Sequence, residues 1–323
     1  MRIIPLLAAA LLTLTVAPAA AQAAPHHDHA HDSIRYASIK SCPGKDGTPE
    51  PCGRWRLVMH DGGRTTLPDA QVVALDEKGR SSGTLPAPIA VSGDGQRVAY
   101  FTKAGRVAVR ALGGGVTLLA KDALPRVAQY AVTLRLSGDG ARLAAAFQGD
   151  EPADTRIFDT GTGDLLGTVP AEETVTGFSG DGDEVLASAD TGDSVIDLLV
   201  HDDRGEQLAR ATPPQLVAAN GPQALAGDGR TVAVVVRGKK TELVTYDLEA
   251  DEVTGRRTIK LPAGDLDMID WTGDTQVTLH LVGEAGGARR MTIVQVDSET
   301  GAVRVRDRYN LLKDTFVFAA CGG

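Results

Sequence analysis

Ser92-Gly93-Asp94-Gly95 stands before the apolar run Val98-Ala99-Tyr100. Ser137-Gly138-Asp139-Gly140 stands before Leu143-Ala144, and Ser179-Gly180-Asp181-Gly182 before Val185-Leu186-Ala187. Ala226-Gly227-Asp228-Gly229 repeats the string without its serine, ahead of Val232-Ala233-Val234, and Thr272-Gly273-Asp274 is a worn fifth copy ahead of Val277-Thr278-Leu279. Counting from 92 to 137, 179, 226 and 272, the copies start 45, 42, 47 and 46 residues apart. Such a string between two apolar runs is hairpin chemistry. Glycine supplies positive φ, and Ser or Asp caps its own backbone.

A second marker follows in each unit, an apolar stretch, usually an Asp, a short polar turn and often a Gly. Ile157-Phe158-Asp159 to Gly163 is the clearest, matched by Leu199 to Gly205, Val244 to Asp247 and Val294 to Gly301. Val107 to Gly115 carries glycines in place of the Asp turn, and Val72 to Gly79 is an upstream copy, which makes six. Residues 34 to 321, divided by six, give 48 residues per unit. Two hairpins per unit predict four short antiparallel strands. Pro86, Pro125, Pro170, Pro213 and Pro262 mark the links, because proline cannot donate to a ladder.

A lone four-stranded sheet cannot bury both faces, whereas radial packing of such sheets does, and a period of 40–50 residues is that of a propeller blade. The repeats resemble those of WD-type and TolB-like β-propellers, with a Ser-x-Asp-Gly turn, an apolar strand and a later Asp hairpin. The Trp-Asp and Gly-His dipeptides of strict WD repeats are missing. The resemblance implies an all-β β-propeller over residues 34 to 323. Six four-stranded blades are preferred, and seven follow if residues 34 to 70 form a blade of their own. A pair of β-sandwich domains is the competing reading.

Ring closure is predicted from composition at the C-terminus. Thr315-Phe316-Val317-Phe318-Ala319-Ala320 is left over after the sixth hairpin, and its β-branched and aromatic residues suit a buried inner strand. It is expected to complete the blade holding Trp55 and Met59, with Val72 to Leu75 as further strand material of that first unit.

Residues 1 to 23 read as a signal peptide. Arg2 precedes an uncharged run from Ile3 to Val16, and Ala21-Gln22-Ala23 fits the small-residue cleavage rule. Pro5 and Pro18 argue against a membrane anchor, and no later segment is apolar for the 18 or more residues of a span. With the leader removed, 32 basic residues face 42 acidic ones, because only Arg2 is lost from the 33. The expectation is a secreted or extracytoplasmic monomer. Nucleic acid is not an expected partner, since it requires a basic face.

The mature N-terminus, residues 24 to 33, reads as a flexible tail rich in histidine. His26, His27, His29 and His31 are candidate metal ligands, since neutral imidazole suits Zn and Cu. A solvated tail with incidental affinity is the plainer reading, and no other cofactor is expected. His60 and His201, each followed by Asp beside a turn, are read as solvated turn residues. Cys42 and Cys52 are expected to form a disulfide in an oxidising compartment, closing a loop rich in Pro and Gly. Cys321 is then odd, free or buried, and its bridging to either of the others is the main alternative.

No nucleophile signature stands. Gly177-Phe178-Ser179-Gly180-Asp181 misses the last glycine of the nucleophile elbow and lies in a strand-to-strand turn. Ser92, Ser137 and Ser179 are therefore expected in turns. The preferred function is a non-catalytic binding scaffold for a protein or other envelope partner. The alternatives are a propeller hydrolase or lactonase and a metal handler using the His-rich tail. The channel mouth at the inter-blade links and second-to-third-strand loops is the expected binding face.

Overall fold

The structure is a computed structural model that describes residues 32–149, 153–192 and 195–321. The leader and His26, His27, His29 and His31 lie outside the described residues.

β1 (Ile34–Pro43), β2 (Pro49–Met59) and β3 (Arg64–Leu67) begin the ring as blade one. β4 (Val73–Leu75) and β5 (Ser81–Pro86) pair with each other as a separate hairpin. Blade two is β6 (Ile89–Val91), β7 (Arg97–Phe101), β8 (Val107–Ala111) and β9 (Val116–Leu118). Blade three is β10 (Val132–Leu136), β11 (Arg142–Phe147), β12 (Thr155–Asp159) and β13 (Leu165–Val169). Blade four is β14 (Glu173–Phe178), β15 (Glu184–Asp190), β16 (Ile196–Asp202) and β17 (Gln207–Ala211). The short helix α1 (Gln215–Ala218) leads into blade five, which is β18 (Gln223–Leu225), β19 (Thr231–Arg237), β20 (Thr241–Asp247) and β21 (Glu252–Thr258). Blade six is β22 (Asp265–Trp271), β23 (Gln276–Ala285), β24 (Ala288–Asp297) and β25 (Val303–Asn310). β26 (Thr315–Ala320) then returns to blade one as its innermost strand, giving the order β26-β1-β2-β3.

The protein is thus a six-bladed β-propeller closed by its C-terminal strand. Tyr36 pairs with Ala320, Ala37 with Ala319, Ser38 with Phe318 and Ile39 with Val317. The Cys321 amide donates to the Arg35 carbonyl at 3.1 Å, so the thiol lies against blade one.

The apolar runs are continuous because each blade is covered on both faces. In β19, Val232 and Val234 pack toward blade four, while Ala233 and Val235 pack toward blade six. In β7, Val98 and Tyr100 face blade one, and Ala99 and Phe101 face blade three. Among the described residues the buried apolar side chains fall into six clusters, one at each interface between neighbouring blades, including the interface of blades six and one. Six interfaces for six blades is the packing signature of a closed ring.

The repeated turn does what its residues dictate. Ser92 Oγ donates to Asp94 Oδ1 at 2.6 Å and accepts the Arg97 amide at 2.9 Å. Ser137 and Ser179 make the same pair of bonds with Asp139 and Arg142, and with Asp181 and Glu184. Gly95 has φ +69°, and a Cβ there would lie 2.4 Å from the Ile34 carbonyl oxygen, so the turn of blade two is pressed onto blade one. The Asp94 amide also donates to the Gly138 carbonyl at 2.8 Å, linking the turns of blades two and three.

Two local readings are corrected. Val72 to Gly79 does carry hairpin chemistry, with Asp76 Oδ1 accepting the Lys78 and Arg80 amides. Its strands, however, form the extra β4–β5 hairpin, and the outer turn of blade one is His60-Asp61-Gly62-Gly63, where the Gly63 amide donates to Asp61 Oδ1 at 2.7 Å. Asp turn chemistry is local and does not say which sheet its strands join. Cys42 and Cys52 do form a disulfide, with Cα atoms 5.9 Å apart, but they lie within strands β1 and β2. Cys321 is free and buried.

Asp197 on β16 illustrates how outer strands are fastened. The residue is 6% exposed, and its carboxylate accepts Thr212 Oγ1 at 2.6 Å and Arg210 Nε at 2.7 Å. These bonds, Thr212 first, hold its carboxyl below the usual carboxylate range. Such a depressed group contributes stability that is present above the unfolded value near 3.9 and lost as pH falls through the folded value. Asp197→Asn is expected to cost about 1–2 kcal/mol at pH 7. Urea unfolding of both proteins should show the gap closing below about pH 4. A gap independent of pH would contradict this origin.

Candidate ligand site in the central lumen

The innermost strands β26, β6, β10, β14, β18 and β22 surround a central lumen of about 600 Å³. One strand edge in each blade faces this space, so backbone N–H and C=O groups line it together with side chains. One mouth is formed by the Ser-Gly-Asp-Gly turns, where Asp94, Asp139 and Asp181 line the wall. The other is formed by inter-blade links and second-to-third-strand hairpins.

Aligning the inner strands on the repeated turn shows the lumen in levels. Two residues before Ser92, Ser137, Ser179, Ala226, Thr272 and Cys321 stand Ala90, Arg135, Gly177, Ala224, Asp270 and Ala319. All six line the lumen. Four are small, and the two charged ones belong to blades three and six, which are diametrically opposed in a ring of six. Arg135 is open to the lumen yet surrounded by protein, and desolvation lowers its pKa while the charge of Asp270 raises it. Among the described residues Arg135 closes no ion pair, and a second cation, Arg306, also lines the lumen. His280 lies behind Asp270, fully buried, with Nε2 3.7 Å from Asp270 Oδ2. Asp267, one turn of strand nearer the link mouth, is pushed up by desolvation. Phe178, Trp271 and Phe318 add aromatic surface to the wall.

The link mouth is uneven. β1 and β2 run 10 and 11 residues, and β23 and β24 run 10 each, whereas the corresponding strands of the other blades run 5 to 7. Two neighbouring blades, six and one, therefore carry long hairpins at this end, and the Cys42–Cys52 disulfide ties the strands of one together. The exposed tips contain Lys45 and Asp46 on blade one and Gly286-Gly287 on blade six.

The histidines depart from their sequence reading. His201 is 2% exposed, with Nε2 2.6 Å from Glu173 Oε2, so it ties β16 to the start of β14 instead of standing in a solvated turn. His60 is half-buried at the junction of blades one and six. Its Nδ1 lies 3.8 Å from Asp307 Oδ2 and its Nε2 3.8 Å from Cys321 Sγ. This thiol, imidazole and carboxylate series was not read from the sequence, because its members stand at positions 60, 307 and 321. Burial pushes the Cys321 thiol up to about 12, which keeps it protonated and removes the thiolate a nucleophile needs. Ser92, Ser137 and Ser179 are buried and bonded within their turns. Among the described residues no group of three or more His, Cys, Asp and Glu is placed to hold a metal ion, and no helix is long and apolar enough to cross a membrane.

No family model matches the chain, and no curated protein matches it. Solved propellers do. A putative TolB from Agrobacterium tumefaciens is similar at 15% identity, covering 86% of this chain and 90% of that one with a TM-score of 0.46. TolB from Acinetobacter baumannii is similar at 16% identity, covering 85% and 66% with a TM-score of 0.45. The β-propeller domain of the Trilobed protease from Pyrococcus furiosus is similar at 13% identity, covering 88% and 95% with a TM-score of 0.48. These are likenesses of fold. The six-bladed propeller architecture rests on the chain's own strand order and six interfaces.

Proposed function

We propose that the protein is a non-catalytic binding scaffold working outside the cytoplasm, and that a protein partner docks on the link-side mouth. The observation that carries this reading is the pair of long hairpins on the adjoining blades six and one, one of them clamped by a disulfide. An exposed hairpin held in one conformation loses less entropy on docking than a free loop. The disulfide and the leader-like residues 1 to 23 support an oxidising compartment. The hydrolase alternative is disfavoured by the chemistry of the hydroxyls and thiol that sit near the lumen, which are bonded within turns or held protonated.

The test is affinity capture from the producing cell's envelope and medium with two baits. One is the intact protein. In the other, the exposed charges of the two hairpin tips are reversed by Lys45→Glu, Asp46→Lys and Glu284→Lys. The expected result is a partner held by the intact bait and lost by the altered one at unchanged melting temperature. Equal capture by both, or turnover of ester or peptide substrates by the intact protein, would contradict the proposal.

A further inference from the structure

On the reading that a protein docks at the link-side mouth, we propose that the partner surface meeting blades five and six is an acidic segment, a stretch of chain rich in Asp and Glu.

Six cations gather on that arc. Arg237, Lys239 and Lys240 stand at the β19–β20 hairpin of blade five, Lys260 on the link to blade six, and Arg289 and Arg290 on the long hairpin of blade six. All are exposed except Arg290, which is half-buried. Arg237 Nη2 donates to the Gly264 carbonyl at 3.1 Å, so the hairpin of blade five lies against the link that carries Lys260. The Arg289 guanidinium is held over the Phe318 ring, 5.7 Å from its centroid, and Arg290 Nε donates to Asn310 Oδ1 at 2.9 Å. Three of the six are thus held in place, which lowers the entropy cost of meeting a ligand. Among the described residues only Arg237 closes an ion pair, with Asp265 at 3.8 Å. The one other carboxylate at positions 237–241, 259–265 and 283–290 is Glu284 at the tip of blade six. Exposed arginines elsewhere are answered, Arg80 by Asp76, Arg210 by Asp197 and Arg230 by Glu249. Clustered cations repel one another, and an acidic ligand relieves that repulsion.

The opposite arc of the same face has the other sign. Blades three and four present exposed Asp154, Glu172 and Asp190, and no Lys or Arg stands among the described residues at 148–155, 170–173 and 190–196. This contrast decides between partners. A flat anionic membrane or a long polyanion laid on the face would meet both arcs, and the acidic arc repels it. A bounded acidic segment covers the basic arc alone. Among the described residues no exposed large apolar side chain lies on that arc to enter a lipid surface.

The experiment titrates a fluorescently labelled oligoglutamate peptide with the full chain and follows its anisotropy, with oligoglutamine as the uncharged probe. Two variants carry the same change in net charge. One is Lys239→Glu, Lys240→Glu and Lys260→Glu. The other is Lys78→Glu, Lys103→Glu and Lys121→Glu, exposed lysines around blade two. Both sets replace exposed side chains and are expected to keep the melting temperature. The expected result is binding of oligoglutamate and not of oligoglutamine, weakened as salt shortens the screening length below about 10 Å. The first variant is expected to weaken binding about tenfold or more, and the second less than about threefold. No binding by the intact chain at low salt would overturn the proposal. So would equal weakening by both variants, which assigns the effect to net charge. Pelleting of the chain with phosphatidylglycerol vesicles, lost in the first variant, would assign the arc to a lipid surface and overturn it as well. The peptide titration does not depend on which protein is captured, so it fails or holds separately from the scaffold reading.

Discussion

Removal of residues 313–323 is expected to lower the melting temperature of the whole protein, in one transition, by about 10 °C or more. β26 is the innermost strand of blade one and pairs with β1 from Tyr36 to Lys40. Its side chains also serve two interfaces. Phe316, Val317 and Ala319 pack between blades one and two, and Phe318 and Ala320 pack between blades six and one. Their loss exposes apolar surface on both sides, leaves the β1 edge unpaired, and breaks the ion pair of Arg56 with Asp314 at 2.8 Å. Loss of several packed side chains costs on the order of 5 kcal/mol or more by large-to-small precedent. A ring has no independent end, so the cost falls on every blade. Scanning calorimetry checks this. An unchanged midpoint, or a small early transition ahead of a main one at the original temperature, would mean that the strand only frays.

His201→Ala is expected to destabilise the fold by about 3–5 kcal/mol, the range for breaking a buried pair on one side. His201 and Glu173 have side chains 2% and 8% exposed, and their atoms meet at 2.6 Å. Without the imidazole the Glu173 carboxylate stays in protein with no replacement donor from His201. A cycle of His201→Ala, Glu173→Gln and the double variant in urea separates this from lost packing. The double variant should recover part of the loss, since no carboxylate is then stranded. A single-variant loss below about 1 kcal/mol, the level of a surface substitution, would sink the assignment.

Blade number and closure were legible because they depend on local chemistry repeated in register. In the three complete turns the Ser and Asp bond the backbone within five residues, and a hairpin turn recurring every 42 to 47 residues leaves few architectures. The leftover strand at 315–320 was readable because its composition demanded burial on a strand that no seventh turn supplied. The β4–β5 hairpin was misassigned for the converse reason. Asp76 closes its turn with residues within four positions, and nothing in that turn specifies a neighbouring sheet.

The lumen was not legible before the ring was closed. Arg135 and Asp270 sit at the same place in their repeats, and aligning the copies would have marked them as the two charged members among Ala and Gly. That they oppose each other follows only from a ring of six, with blades three and six on one diameter. His201 was misread because the residue after it, Asp202, accepts the Arg204 and Glu206 amides in a genuine turn. The histidine itself is the last inward-facing position of β16, and its partner Glu173 comes from another strand. The Cys321, His60 and Asp307 group depends likewise on the closing strand, which brings position 321 beside blade one.

Hydrogen exchange of the intact protein, alone and saturated with the partner obtained by capture, tests the central claim that binding occurs at the link-side mouth of a closed six-bladed ring. Slowed exchange is expected to concentrate in residues 40–52 and 282–291, the hairpins of blades one and six. Slowing confined to the outer strands at 116–118, 165–169 and 207–211, with those two hairpins unchanged, would contradict it.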